Sequence, residues 1–307
     1  MAPDTRLWRP PFPVDVHAVL GVHRRGRGDP AFQIGADGAI WRTCLTPDGP
    51  GTVRVRAAGA EVRGTAWGSG AQWLLDGLPE MLGAADDPAG FVPVHPLLRA
   101  AARRHPGLRV GRTARAFEAL VPAVLEQKVV GTEAARAWRL LLRRFGEPAP
   151  GSGPGGVVPA GMRVFPAPQV WASIPSWEWH RAGAEAVRAA TIIAAARVAE
   201  AIERAAMSAP ARAERMLRAI PGIGPWTCAE VRQRCAGDAD AVSVGDYHLP
   251  SMVGWALAGR ITDDRGMLDL LAPYHGHRFR ATRLVALSGV LPPRRGPRLA
   301  PRDYRRW

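Results

Sequence analysis

Seven residues, IPGIGPW (220–226), constrain this chain more than any other stretch. The residues before them, ARAERMLRA (211–219), and after them, TCAEVRQRC (227–235), both carry helical spacing. Two glycines and two prolines therefore join two helices through a hairpin. Gly222 and Gly224 can take positive φ at no steric cost and let another backbone close in. Pro225 suits the first turn of the second helix, where its missing N–H is no loss. With Ile223 between the glycines, the hairpin amides and that helix N-terminus would face outward, a ready site for a phosphate oxygen. On these seven residues alone, an ordinary tight turn between helices fits equally well.

An acid further on adds a second feature. The stretch DAVSVGDYHLP (240–250) places Asp246 22 residues after Gly224, in a Gly-Asp-Tyr turn just before a helical segment. An aspartate there either caps the helix or presents its carboxylate to a cleft.

The charge balance bears on what such a hairpin would meet. Basic residues number 41 against 27 acidic, a net of +14, which points to a polyanion and to nucleic acid first. Lys128 is the sole lysine. With so much Ala, Gly and Pro, the arginine preference reads as a GC-rich coding sequence, which explains the Arg/Lys ratio but not the basic excess. Cys44, Cys228 and Cys235 are too few and too scattered for a disulfide framework, a zinc site or an iron–sulfur cluster, so no cofactor is expected. No stretch reaches the roughly 18 apolar residues of a membrane span, and MAPDTRLWRPPFP lacks the apolar core of a signal peptide. The expectation is a reduced, cytoplasmic protein.

Composition changes along the chain. In residues 1–93 the stretches 14–22, 32–34, 39–45 and 52–62 are short, β-prone and separated by Gly, Asp and Pro, which predicts antiparallel hairpins. Residues 71–82 read as an amphipathic helix, so this part is expected to be an α+β domain. Helical spacing then fills 94–290, at 95–105, 115–145, 184–206, 211–220, 225–236, 247–258 and 278–290. The Gly/Pro-rich stretch 146–168 reads as a linker between two helical lobes. Residues 291–307 read as a solvated basic, Pro-rich tail. In SWEWHRAG (176–183), Trp177 and Trp179 cannot share one face of a helix, and core packing is expected of the cluster.

PGIGPWT followed by VSVGDY resembles the helix–hairpin–helix DNA glycosylase superfamily, which carries a Gly-x-Gly hairpin and then a catalytic aspartate at about this distance. Within it, the chain is most similar to the bacterial 3-methyladenine DNA glycosylase II family, through HPGLRVGRTARAFEALVPAVLEQKV (105–129), FPAP (165–168) and the β-rich start. The likeness spans roughly residues 10–290. It implies a mainly α, two-lobed glycosylase core behind an antiparallel sheet domain, acting as a monomer on double-stranded DNA with damaged bases and associated with the nucleoid.

The resemblance also implies roles. Asp246 would stabilise an oxocarbenium-like transition state and orient water. Bifunctional relatives place a Schiff-base lysine where this chain has Trp226, so a monofunctional enzyme is implied. The Trp226 indole would instead stack on a cationic alkylated purine. Glu230, Tyr247, Tyr274 and His277 stand near positions of the family's base pocket; Glu230 replaces an aromatic there, or it is a helical surface charge. Gln127, on an amphipathic helix, would face DNA, and Lys128 stands where an apolar wedge is usual, so it either fills the gap left by the base or meets a phosphate. Gly222, Ile223, Gly224 and Thr227 would meet the DNA backbone. A structural monovalent cation on hairpin carbonyls is allowed. Three functions follow: a glycosylase for alkylated purines, a glycosylase for uracil, oxidised or mismatched bases, and a non-catalytic binder of damaged DNA.

Overall fold

The computed structural model describes residues 2–293; the stretch expected as a basic tail lies, from 294 on, outside the described residues. The first part is a five-stranded antiparallel sheet. Its strands are β1 (Asp4–Trp8), β2 (Phe32–Ile34), β3 (Ile40–Thr46), β4 (Gly49–Ala58) and β5 (Glu61–Gly68), in the order β1-β5-β4-β3-β2. The expected strand at 52–62 is two strands, because Gly59, at φ +62°, turns the chain into a hairpin that pairs Ala58 with Glu61. The expected strand at 14–22 is instead helix α1 (Val16–Leu20). Asp15 caps it by accepting the Ala18 N–H at 2.9 Å, and Val16, Val19 and Leu20 bury against the sheet. The helix expected at 71–82 breaks at Gly77 into α2 (Ala71–Asp76) and α3 (Leu78–Met81), which cover one sheet face with Leu74, Leu75, Leu78 and Met81.

The helical part follows as α4 (Pro96–Arg104), α5 (Ala116–Leu125), α6 (Gly131–Phe145), α7 (Pro168–Ser173), α8 (Ser176–Ala182), α9 (Ala186–Arg197), α10 (Ala199–Ala206), α11 (Pro210–Arg218), α12 (Pro225–Cys235), α13 (Leu249–Ala258), α14 (Asp264–Leu271) and α15 (Arg278–Ser288). It has two cores. The larger is built from α5–α12 around Phe117, Trp138, Phe165, Trp171 and Trp179. The smaller unites α4 with α13–α15 around Leu98, Val253, Leu271 and Leu284. The chain therefore enters the small lobe, builds the large one and returns.

Residues 146–168 consequently do not link the lobes, since helices on both sides of them share the larger core. They fold back onto the sheet, where Ala149, Val158 and Met162 pack against the stacked indoles of Trp41 and Trp67. The backbone of Arg163 is held at both ends, its N–H donating to Pro30 O at 2.8 Å and its carbonyl accepting from Thr43 Oγ1 at 2.6 Å. Trp179 packs in the large core as expected of its cluster, while Trp177 stays exposed.

Helix α12 positions the site. It buries Thr227, Cys228, Ala229, Glu230, Val231, Gln233 and Cys235, on every side of the helix, so it is central rather than amphipathic. It packs on α5 and α11 and carries the hairpin at one end. Among the described residues no helix is long and apolar enough to cross a membrane.

Candidate active site

The hairpin joins α11 to α12 with the Ile223 N–H donating to Ile220 O at 3.1 Å. Gly222 takes φ +88°, and a Cβ there would lie 2.1 Å from Thr191 Oγ1. Gly224 does not take the positive φ expected of it. It is extended at φ −102° and ψ −178°, and a Cβ there would meet nothing within 4 Å. The two glycines thus serve different ends: Gly222 meets an internal constraint, whereas Gly224 leaves open space at the first turn of α12. Ile223 turns its side chain into the large core, so only its backbone is available to a ligand.

Gln127 lies in the turn that interrupts the helix expected over 115–145. Lys128 takes φ +54° there, which ends α5 before α6 begins. The Gln127 amide donates to Gly222 O at 3.0 Å and to Thr227 Oγ1 at 2.9 Å, and the Gln127 carbonyl accepts from Arg188 at 3.1 Å. Gln127 and the buried Thr227 therefore buttress the hairpin, and Lys128 projects into solvent beside it. Ile220 O and Gly222 O each accept one bond within the fold, leaving each a further lone pair.

Asp246 meets both of the roles that its position allows. Its Oδ1 accepts the N–H groups of His248 and Leu249, both at 2.8 Å, and so caps α13. Its Oδ2 accepts the Trp226 indole N–H at 3.0 Å, and its side chain lines a cavity of about 250 Å³. Three N–H donors thus fix both carboxylate oxygens in one orientation.

That cavity is assembled from distant parts of the chain. Helix α12 contributes Glu230, Gln233 and Arg234; the segment entering α13 contributes Ser243, Asp246, His248, Leu249 and Met252. Helix α15 contributes Phe279, Thr282, Arg283 and Ala286, and Val22 completes the lining. Glu230 is buried and is no surface charge. It accepts the Ser243 hydroxyl at 2.6 Å and pairs with Arg234 at 2.7 Å. Burial pulls the Arg234 guanidinium below its ordinary value, with Glu230 opposing.

Three residues expected in the pocket are elsewhere. Tyr274 is buried in the small core, where its hydroxyl accepts the His95 N–H at 3.1 Å, because the short turn after α14 directs it toward α4. His277 sits before α15 against Phe91, its Nε2 3.1 Å from Ala89 O, and is not part of the cavity lining. Tyr247 points outward, 81% exposed, since the Asp246 cap turns the following residue away. Trp226 is half-buried and bonded to Asp246 but does not line the cavity. Sequence reasoning missed Gln233, Arg234, Ser243, His248, Phe279 and Arg283. The i, i+3, i+4, i+7 spacing of Phe279, Thr282, Arg283 and Ala286 was the available signal for one helix face, but it does not say which way that face looks.

A second cavity, of about 30 Å³, lies where the sheet domain meets the large core and is lined by His23, Arg25, Arg42, Glu118 and Arg234 among others. It has room for about one water. Burial, and then the guanidiniums of Arg42, Arg234, Arg25 and Arg283, hold the His23 imidazole well below its usual range. Among the described residues no three His, Cys, Asp or Glu side chains gather as a metal site.

A sheet domain, two helical lobes, a glycine hairpin and a pinned aspartate between the lobes define the class: the fold is that of the two-lobed helix–hairpin–helix glycosylases. The chain is 16% identical to the 3-methyladenine DNA-glycosylase from Archaeoglobus fulgidus, with a TM-score of 0.72 over 92% of this chain and 97% of that one. An 8-oxoguanine glycosylase/lyase from Clostridium acetobutylicum, solved with double-stranded DNA, superposes with a TM-score of 0.70 at 12% identity, over 92% and 94%. In sequence, the chain is 29% identical over 255 residues to a probable bifunctional transcriptional activator/DNA repair enzyme AlkA of Mycobacterium tuberculosis. That match covers 78% of this chain and 48% of the relative, so the chain spans about half the length of the curated relatives it matches. No family model matches. The likeness in fold is thus to DNA glycosylases, and the likeness in sequence is to a DNA repair enzyme.

Proposed function

We propose that the protein is a monofunctional DNA glycosylase of base excision repair that hydrolyses the N-glycosidic bond of alkylated purines, of the 3-methyladenine and 7-methylguanine class, in double-stranded DNA. The observation that carries this reading is the hydrogen bond from Trp226 to Asp246, which holds the carboxylate at the lining of the 250 Å³ cavity. The hairpin would hold the DNA backbone through the amides of Gly224, Trp226 and Thr227, which precede the first bond of α12, from Cys228 N–H to Gly224 O at 3.1 Å. A monovalent cation on the hairpin carbonyls would add positive charge facing the phosphates.

With the damaged base turned out of the stack into the cavity, the bond from sugar to base breaks. The electron pair leaves with the base, and the sugar gains oxocarbenium character. Asp246 stabilises that charge and orients the water that adds to the sugar, leaving an abasic site. A Schiff base would need an amine at the sugar. The position after the hairpin is Trp226, and the sole lysine, Lys128, sits in the exposed turn after α5. The protein would act as a soluble monomer, with no second subunit needed to complete the cavity.

The test is base release from methylated duplex DNA by the wild type and by Asp246→Asn, with bases identified by mass. The amide can still cap α13 but carries no charge, so release should fall by about 10³-fold or more while DNA binding persists. Undiminished release in the variant would remove Asp246 from the mechanism. A borohydride-trapped protein–DNA adduct would overturn the monofunctional reading.

A further inference from the structure

Four charged side chains line the cavity. Asp246 is held by three N–H donors, and Glu230 and Arg234 satisfy one another. Arg283 is different. It stands on the same face of α15 as Phe279 and Ala286, lines the cavity, and donates to Ala18 O at 3.0 Å. No carboxylate lies within ion-pair distance of it among the described residues. Burial, and secondarily the neighbouring Arg234, push it down to about 10. A guanidinium carries five N–H donors and no acceptor. One donor is engaged with Ala18 O, the hydrogen bond that ties Arg283 to the protein among the described residues, so the others are left to water or to a ligand in the cavity.

Resting on the glycosylase reading of this cavity, we infer that Arg283 selects bases bearing a ring carbonyl, guanine-type lesions such as 7-methylguanine, over adenine-type lesions such as 3-methyladenine. The chemistry is donor against acceptor. A guanine-type base presents O6, the acceptor that arginine most often contacts in DNA recognition. An adenine-type base presents an amino group at that position, so donor would face donor, and a half-buried guanidinium would lose water without gaining a partner. While still bonded to the sugar both lesions carry positive charge, so repulsion from the guanidinium is common to them and 7-methylguanine alone offsets it with O6; as free bases the donor–acceptor match alone discriminates. Glu230 complements the arrangement. Each of its oxygens accepts one bond from Ser243 or Arg234 and keeps a lone pair for the N1–H and N2 amino donors that guanine carries and adenine lacks.

The experiment measures equilibrium binding of free 7-methylguanine and free 3-methyladenine to the full chain, by quenching of tryptophan fluorescence, for the wild type, Arg283→Met and Arg283→Lys. The wild type should favour 7-methylguanine by about tenfold or more, the worth of one charge-assisted hydrogen bond. Arg283→Met should abolish the preference. Arg283→Lys, which keeps the charge without the planar fork, should narrow it, and it replaces the methionine variant if that one melts below the assay temperature. Equal or reversed preference in the wild type, failure to bind either base, or an unchanged ratio in a folded variant would overturn the inference. Base release from methylated DNA, measured in parallel, keeps the two readings apart. A preference among free bases without release removes the glycosylase reading alone, and release without a preference removes the role of Arg283 alone.

Discussion

Gly222→Ala and Gly224→Ala differ by two positions and should have opposite consequences. At Gly222 the backbone sits at φ +88°, where a residue with a Cβ costs about 1–2 kcal/mol. The new methyl would also lie 2.1 Å from Thr191 Oγ1 and 3.2 Å from both Cβ and Cγ2 of that buried threonine. Forcing a methyl into packed structure costs about 1–3 kcal/mol. The combined loss is about 2–5 kcal/mol, a large part of the roughly 5–15 kcal/mol that stabilises a typical protein. At roughly 2–4 °C per kcal/mol, the thermal midpoint should drop by about 5 °C or more. At Gly224 the backbone is extended and nothing stands within 4 Å, so stability should change by no more than about 1 kcal/mol. The methyl would instead stand where a phosphate approaches the amides of α12, and DNA affinity should fall about tenfold, the worth of one charge-assisted hydrogen bond. Thermal melts and fluorescence-anisotropy titrations with duplex DNA read the two quantities separately. Pairing Gly222→Ala with Thr191→Ala should recover the steric share of the loss and leave the backbone share. Equal destabilisation by both glycine variants, or a Gly222→Ala protein as stable as the wild type, would refute this division of labour.

Two further outcomes follow from other parts of the molecule. Lys128, exposed beside the hairpin, should contribute one phosphate contact, so Lys128→Ala should reduce the slope of log K against log salt by about 1; an unchanged slope would leave Lys128 without that role. His23, held well below its unfolded value of 6.5, is neutral in the folded protein at a pH where the unfolded chain already takes up a proton. Stability from this group is therefore full above about pH 6.5 and falls as pH drops below it, with a slope of up to about 1.36 kcal/mol per pH unit. Urea midpoints between pH 7.5 and 5.5 should show that fall, and His23→Gln should flatten it. An identical slope in the variant would assign the fall to other groups.

The chain's local chemistry already determined the hairpin between two helices, the aspartate turn and the antiparallel sheet. Positive φ, proline at a first helical turn and short β-prone runs each depend on a few adjacent residues, so they can be read in one dimension. Even there, Asp15 turned a β-prone stretch into a capped helix through one side-chain bond, and the turn after Leu125 interrupts a helix that periodicity drew as continuous, with Lys128 at a positive φ that a side chain disfavours and Gln127 tied to Gly222, Thr227 and Arg188. Tertiary structure decided the rest. Residues 146–168 cover two indoles of the sheet instead of linking lobes, which follows from where the apolar surface of the sheet lies and not from their Gly/Pro content. The cavity brings together Val22, Glu230, Asp246 and Arg283, positions spread over most of the chain. Its lining is set by the small core, which pairs α4 with α13–α15 and so aims one face of α15 toward Asp246 while turning Tyr274 away. Periodicity reveals that a helix has two faces; only packing between residues far apart in sequence settles which face meets the cleft.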